Sequence, residues 1–152
     1  MNVIIKTFIT AILPVVEIRG AIPVGISGGL SPFAAFFVGL IGNMLPVPFL
    51  ILLTRRVIEW LTKHDILTRF TSWLKEKSEK NAQKVQKYSF WGLFVLVAIP
   101  LPGTGAWTGA LVASMLDMRL KRALPAITLG VICAGLIILG VTCGLISVGS
   151  LL

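Results

Sequence analysis

The chain has 152 residues, 56% of them hydrophobic and 13% charged, with a mean hydropathy of +0.94. A soluble domain carries about 25% charge, so this composition excludes that class and indicates an integral membrane protein with room for about four spans and no second domain. The formal charge of +8 does not indicate nucleic acid, because nine of the fourteen Lys and Arg fall between Arg55 and Lys87 beside apolar segments, where membrane anchoring accounts for them.

In chain order, Asn2 to Leu13 is an apolar stretch of about 12 residues, near 18 Å as a helix and too short to span alone. Lys6 before the run Thr7 to Val16 has the look of a signal peptide. The run leads into Glu17 and Arg19 rather than a small-residue cleavage site, so it is read as structure. Pro14 to Pro23 interrupts the helix, since proline removes a backbone donor and glycine weakens the turn. Ala21 to Leu30, with Gly25 and Gly29, then forms a second short helix, and Ser31-Pro32 supplies a turn and a helix start. Phe33 to Leu53 is about 21 apolar residues and spans, with Asn43, Pro46 and Pro48 marking a polar, kinked point.

Thr54 to Lys87 alternates charge with Val57, Ile58, Trp60, Leu61, Ile66, Leu67, Phe70, Trp73 and Leu74, which predicts an amphipathic helical connection along the cytoplasmic interface, with Lys75 to Lys87 reaching into water. His64 belongs to that surface. The second half repeats the plan: Tyr88 to Ile99 is half-length, a break follows at Pro100, Pro102 and Gly103, Trp107 to Leu116 is short, and Arg119 to Arg122 leads into a full span from Leu124 to Val148. Cys133 and Cys143 lie ten residues apart in this span, about 15 Å along its axis, too far for a disulfide.

Four uninterrupted helices would place Arg55 to Lys87 and the Arg119, Lys121, Arg122 cluster on opposite faces, against the positive-inside rule. Two hairpins that enter and return put both on the cytoplasmic face. The expected fold is therefore all-α, with inverted repeats over 1–53 and 88–152, each a re-entrant broken hairpin plus one transmembrane helix, joined by the connection 54–87. Residues 54–87 and 117–122 are expected on the cytoplasmic side of the inner membrane. The alternative is four ordinary helices with proline kinks.

Glu17 and Arg19 are the sharpest chemical signal, because an ionisable group within an apolar segment costs at least about 2.5 kcal/mol and faces a partner or a cavity. Between Pro14 and Pro23 an extended backbone is expected to turn both side chains to one side. One reading is a self-neutralising pair that fixes the hairpin. The other makes Glu17 a proton-binding carboxylate and Arg19 an anion ligand, with Asn43 facing Glu17 and Thr104 supplying a hydroxyl from the second break. Asp117 reads as a helix-end cap or ion pair. No catalytic, phosphate-binding or metal pattern is present in the sequence, so neither enzyme nor cofactor is expected.

The strings Val16-Glu17-Ile18-Arg19-Gly20-Ala21-Ile22-Pro23-Val24-Gly25, Gly42-Asn43 and Ile99-Pro100-Leu101-Pro102-Gly103-Thr104-Gly105-Ala106-Trp107-Thr108-Gly109-Ala110 resemble the bacterial and archaeal family of small multidrug export proteins, over nearly the whole chain. That family looks like a distant branch of the DedA, or VTT-domain, superfamily of paired re-entrant hairpins linked to proton-dependent transport and lipid movement. The resemblance implies Glu17 as the acidic residue of the first hairpin and places Asn43 near an acid of DedA members. DedA arginines around the second Pro-Gly are replaced here by Ala98 and Thr104, which weighs against a shared lipid-phosphate substrate. The expected function is a small proton-coupled secondary exporter, a homodimer in membrane lipid with an unnamed cargo. Alternatives are a lipid flippase or scramblase, a scaffold acting through the connection, and a four-helix drug pump.

Overall fold

The computed structural model describes residues 2–64, 72, 82–101 and 103–149, with the backbone alone over 82–87. Pro102 and most of the expected amphipathic connection, including Ile66, Leu67, Phe70, Trp73 and Leu74, lie outside the described residues. Among those described the chain is helical and contains no strand.

Helix α1 (Val3–Ile12) begins behind Asn2, whose side chain accepts from the Ile4 amide at 3.3 Å. It ends because Pro14 steers Leu13 out of the helical region, to φ −64 and ψ 132. Helix α2 (Glu17–Ser27) follows at once and closes at Gly28 and Gly29, the latter at φ 97. Ser31 caps α3 (Pro32–Met44) through the Ala34 amide, with Pro32 in the first turn. Pro46 and Pro48 cannot donate to the carbonyls of Gly42 and Met44, and the helix is interrupted there before continuing as α4 (Val47–Lys63). In the second half come α5 (Ala82–Ala98), α6 (Ala106–Met115) and α7 (Leu120–Gly149).

Two runs are long and apolar enough to cross a membrane: α3 with α4, 32 residues, and α7, 30 residues. At about 1.5 Å per residue these reach about 48 and 45 Å, against a hydrocarbon core of about 30 Å. Helices α1 and α6, ten residues each, reach only about 15 Å. Large apolar side chains such as Phe33, Phe37, Ile41, Phe49 and Leu53 cover the outer surface, an arrangement suited to hydrocarbon.

Three expectations are corrected. Pro23 does not break the chain but sits inside α2, where it costs only the bond to the Arg19 carbonyl while α1, α3 and α7 hold the helix from its sides. Glu17 and Arg19 are consequently on a helix start, not on extended backbone. Thr54 to Lys63 is no separate interfacial element, because it continues α4 without interruption.

Small residues set the packing and the register. Helices α1, α2 and α3 pack on one another, with Gly25 facing Ala35 and Thr7, Gly39 facing Ile18 and Ala21, and Gly42 against the Phe8 carbonyl and Ala11. Helix α2 thus runs antiparallel to α3. On the other side α5, α6 and α7 pack together, with Val97 seated on Gly109 and Gly130. The halves interlock through α7, whose Gly135 receives Ile18 and Phe36, and through α4, which lies along α6. Ile18, Ile22, Val97, Ile127 and Val131 form the centre of the core. At its far end Arg55 of α4 donates to the Met118 carbonyl just beyond α6, and Ser114 Oγ donates to the Ile51 carbonyl at 3.2 Å.

Candidate functional site

A helix leaves its first amides and last carbonyls unpaired, and in hydrocarbon each such group costs several kcal/mol. The break between α5 and α6 creates one end of each kind. Pro100 supplies no donor and Gly103 takes φ 85, a left-handed turn suited to glycine, so the Ile99, Leu101 and Thr104 carbonyls are left on one side of the break and the first α6 amides on the other. The break itself, from Ile99 to Gly105, contains no charged residue to meet them.

The first half supplies both. Arg19 reaches across and donates through Nη1 to the Leu101 carbonyl and through Nη2 to the Thr104 carbonyl, with the Ile99 carbonyl at 3.4 Å and Thr104 Oγ1 at 3.0 Å. Thr104 Oγ1 is itself 2.8 Å from the Ile99 carbonyl and 2.9 Å from that of Leu101, so its hydroxyl ties the turn together while accepting from Arg19. The guanidinium therefore sits where the C-terminal end of α5 concentrates negative partial charge. Glu17 goes to the opposite pole: its Oε1 accepts from the Trp107 amide at 3.3 Å, in the first turn of α6, which has no side-chain cap of its own.

Two local features make this reach possible. Glu17 adopts φ 51, a left-handed conformation that costs a non-glycine residue about 1–2 kcal/mol. Gly105 leaves open the space the carboxylate fills; a β-carbon there would lie 2.6 Å from Cδ and 2.7 Å from Oε1 of Glu17. The contact is returned by Trp107, whose indole Nε1 donates to the Ile12 carbonyl at 3.2 Å and so caps the end of α1. Glu17 and Arg19 form no direct ion pair with each other; each side chain instead makes its hydrogen bonds to the second break.

Of the four expected binding residues, Glu17, Arg19 and Thr104 meet at this junction. Glu17 is 4% exposed, the one buried acid among the described residues. Asn43 is fully buried on α3, but neither of its amide atoms has a hydrogen-bond partner and it makes no bond to Glu17. Pro14 and Pro100 lie at the two breaks, with Gly103 in the second. Among the described residues no group of three or more His, Cys, Asp or Glu is placed to hold a metal ion.

The family model described as "Putative small multi-drug export protein" matches residues 17–137, from Glu17 through the whole of the second break and into α7. The chain belongs to that family. Comparison with curated proteins and with solved structures finds no match. An export family together with two long apolar helices makes this a membrane protein.

Sequence reasoning missed Trp107 and Gly105 as site residues. The available signal was an indole in the first turn after a proline and glycine break, away from the positions where Trp60 and Trp91 are exposed, since a buried indole N–H needs an acceptor. Arg55 was also missed, read only as one charge among many. Asp117, read as a helix-end cap or ion pair, lies just past the end of α6 with Oδ1 3.8 Å from Arg55 Nη2, and its side chain is 94% exposed. His64 ends α4, stacked on Trp60 with ring centroids 4.5 Å apart.

Proposed function

We propose that this chain is a small secondary exporter of the cytoplasmic membrane, that its pathway passes the junction of the two helix breaks, and that Glu17 carries the coupled proton. The observation that carries the reading is the contact of Glu17 and Arg19 with the break more than eighty residues away, which gathers a buried carboxylate, a guanidinium and the two helix ends they serve at one point. Helix ends of this kind at mid-membrane are how transporters hold small solutes and ions.

The same reading makes α1 with α2, and α5 with α6, two re-entrant hairpins entering from opposite faces, each followed by one span, as inverted repeats. Its support is positional. Gly28 faces Val3, so both ends of the first hairpin lie at the Ser31 end of α3, whereas the turn after α6 lies at Arg55, about 36 Å further along by helical rise. The basic residues Arg55, Arg56, Arg119, Lys121 and Arg122 then share the cytoplasmic face. A homodimer would complete the wall around so small a pathway. A catalytic role is not part of this reading. The DedA-like alternative, movement of a lipid headgroup with Arg19 on its phosphate, is the weaker one because both Arg19 Nη atoms already donate to backbone carbonyls.

Proteoliposomes enclosing a pH-sensitive dye test this against a panel of small organic solutes, with Glu17→Gln as control. A solute that drives proton flux through the wild type and not through the variant is the expected result. Equal pH dependence of flux in both proteins overturns proton coupling, and transbilayer movement of fluorescent phospholipid without solute flux returns the lipid alternative.

A further inference from the structure

Asn43 is the one fully buried side chain in the described residues whose polar atoms, Oδ1 and Nδ2 alike, have no hydrogen-bond partner. Two registers place it. Along the antiparallel pair α2 and α3, Gly25 faces Ala35 and Gly39 faces Ala21 and Ile18, so one turn further on Asn43 is level with Glu17. The Glu17 carboxylate in turn accepts from the Trp107 amide, so that level is also the level of the start of α6. Along α3 and α7, Phe36 meets Gly135 and Met44 Sδ lies 3.9 Å from Thr128 Oγ1, again bringing Asn43 to the central part of the fold.

Its direction follows as well. At about 100° per residue Asn43 lies about 40° round α3 from Gly39, towards Met44. Gly39 faces α2, while Phe36 and Met44 face α7. Asn43 therefore points into the wedge between α2 and α7 at the depth of the Glu17 carboxylate and the start of α6.

A primary amide presents an acceptor beside two donors. A bare cation would satisfy Oδ1 and leave the amino group unpaired, and a simple anion would do the reverse. Only a group that both donates and accepts completes it: water, or the hydroxyl, carboxyl or amide of a small solute. We propose that the wedge at Asn43 is a binding position for one such hydrogen-bonding group, set at the depth of Glu17 as the next polar station of the pathway. The inference deepens the transport reading and rests on it only for the word pathway; the binding position itself does not depend on proton coupling.

The test uses full-length protein with Cys133 and Cys143 replaced by serine. Asn43→Cys is reacted with a small water-soluble methanethiosulfonate in buffer without added solute, beside Ala35→Cys, equally buried on the same helix but packed against Gly25 in the α2–α3 contact. The expected result is labelling at Asn43→Cys at least tenfold faster, which assigns water to the position. Slow labelling together with a molecule that copurifies with the wild type, seen by native mass spectrometry and lost in Asn43→Leu, assigns a solute instead. Slow labelling with no such molecule overturns the proposal. Asn43→Leu guards against a misfolded cysteine variant: an amide without any partner makes this near-isosteric change raise the melting midpoint, which also overturns it, whereas a bound group makes the midpoint fall. If Glu17→Gln keeps its proton flux while Asn43→Cys labels fast, the coupling has failed and the binding position stands.

Discussion

Gly105→Ala is the most direct perturbation of the junction. Gly105 is the residue before α6, and a β-carbon there would come within 2.6 Å of Glu17 Cδ. Helix α6 is pinned by Gly109 on Val97 and by Ser114 on Ile51, so the carboxylate is the part that must move. What is lost is a hydrogen bond to a charged acceptor, about 1.5–3 kcal/mol, and a favourable place at the positive end of a helix, about 0.3–2 kcal/mol. The two share the same partial charges, and the 3.3 Å bond is a long one, so about 2–4 kcal/mol is the expected total. On a stability of about 5–15 kcal/mol this weakens the protein without unfolding it. Reversible unfolding in mixed micelles measures it, best as a cycle with Glu17→Ala. Gly105→Ala should cost about 2–4 kcal/mol in the wild type and under about 1 kcal/mol once Glu17 is gone, because there is then no carboxylate to displace. Equal costs in the two backgrounds would show that Gly105 serves the backbone alone and that Glu17 does not cap α6.

Arg19→Lys should destabilise by about 1–3 kcal/mol in the same assay despite its retained charge, since a single ammonium cannot replace the two-pronged contact with the Leu101 and Thr104 carbonyls. Exchanging the two charges, Glu17→Arg with Arg19→Glu, keeps the composition but sets each charge against the wrong helix end; the double variant should lose more than Glu17→Gln and Arg19→Gln together, whereas a merely self-neutralising pair would tolerate the exchange. Arg55→Gln should cost about 1–3 kcal/mol through the Met118 carbonyl, while Asp117→Asn stays within about 0.5 kcal/mol because its side chain is 94% exposed. In cysteine-free protein in intact cells, Ser31→Cys should react with an impermeant thiol reagent from outside and Asp117→Cys should not; labelling of Asp117→Cys from outside would refute the hairpin topology.

The helix breaks were legible because proline and glycine act locally: Pro14, Pro100 and Gly103 each sit where an apolar run stops. Pro23 shows the limit of that rule. A proline costs one bond to the carbonyl four residues back, and burial of Ile18, Ala21, Ile22 and Gly25 between α1, α3 and α7 keeps α2 whole around it. Glu17 and Arg19 stood out as charges in an apolar segment. Their partners did not, because a contact across eighty or more residues leaves no period in the sequence, and the left-handed backbone at Glu17 has no signature in a glutamate. Thr54 to Lys63 was misplaced for a related reason: an amphipathic pattern reads the same whether the helix lies on a surface or prolongs a span.

Two charges two residues apart serve the opposite poles of a break in the other half of the chain, and this ties the halves more tightly than apolar packing would. Packing between helices in lipid gains little from exclusion of water, since the lipid tails are as apolar as the side chains. The Arg19 contacts with Leu101 and Thr104, the Glu17 contact with Trp107 and the Trp107 contact with Ile12 are different, because parting the halves leaves every one of those groups unpaired unless water takes its place. Any motion that separates the two breaks is therefore coupled to hydration of the junction. The residues that hold the halves together are the ones that water must reach for them to part.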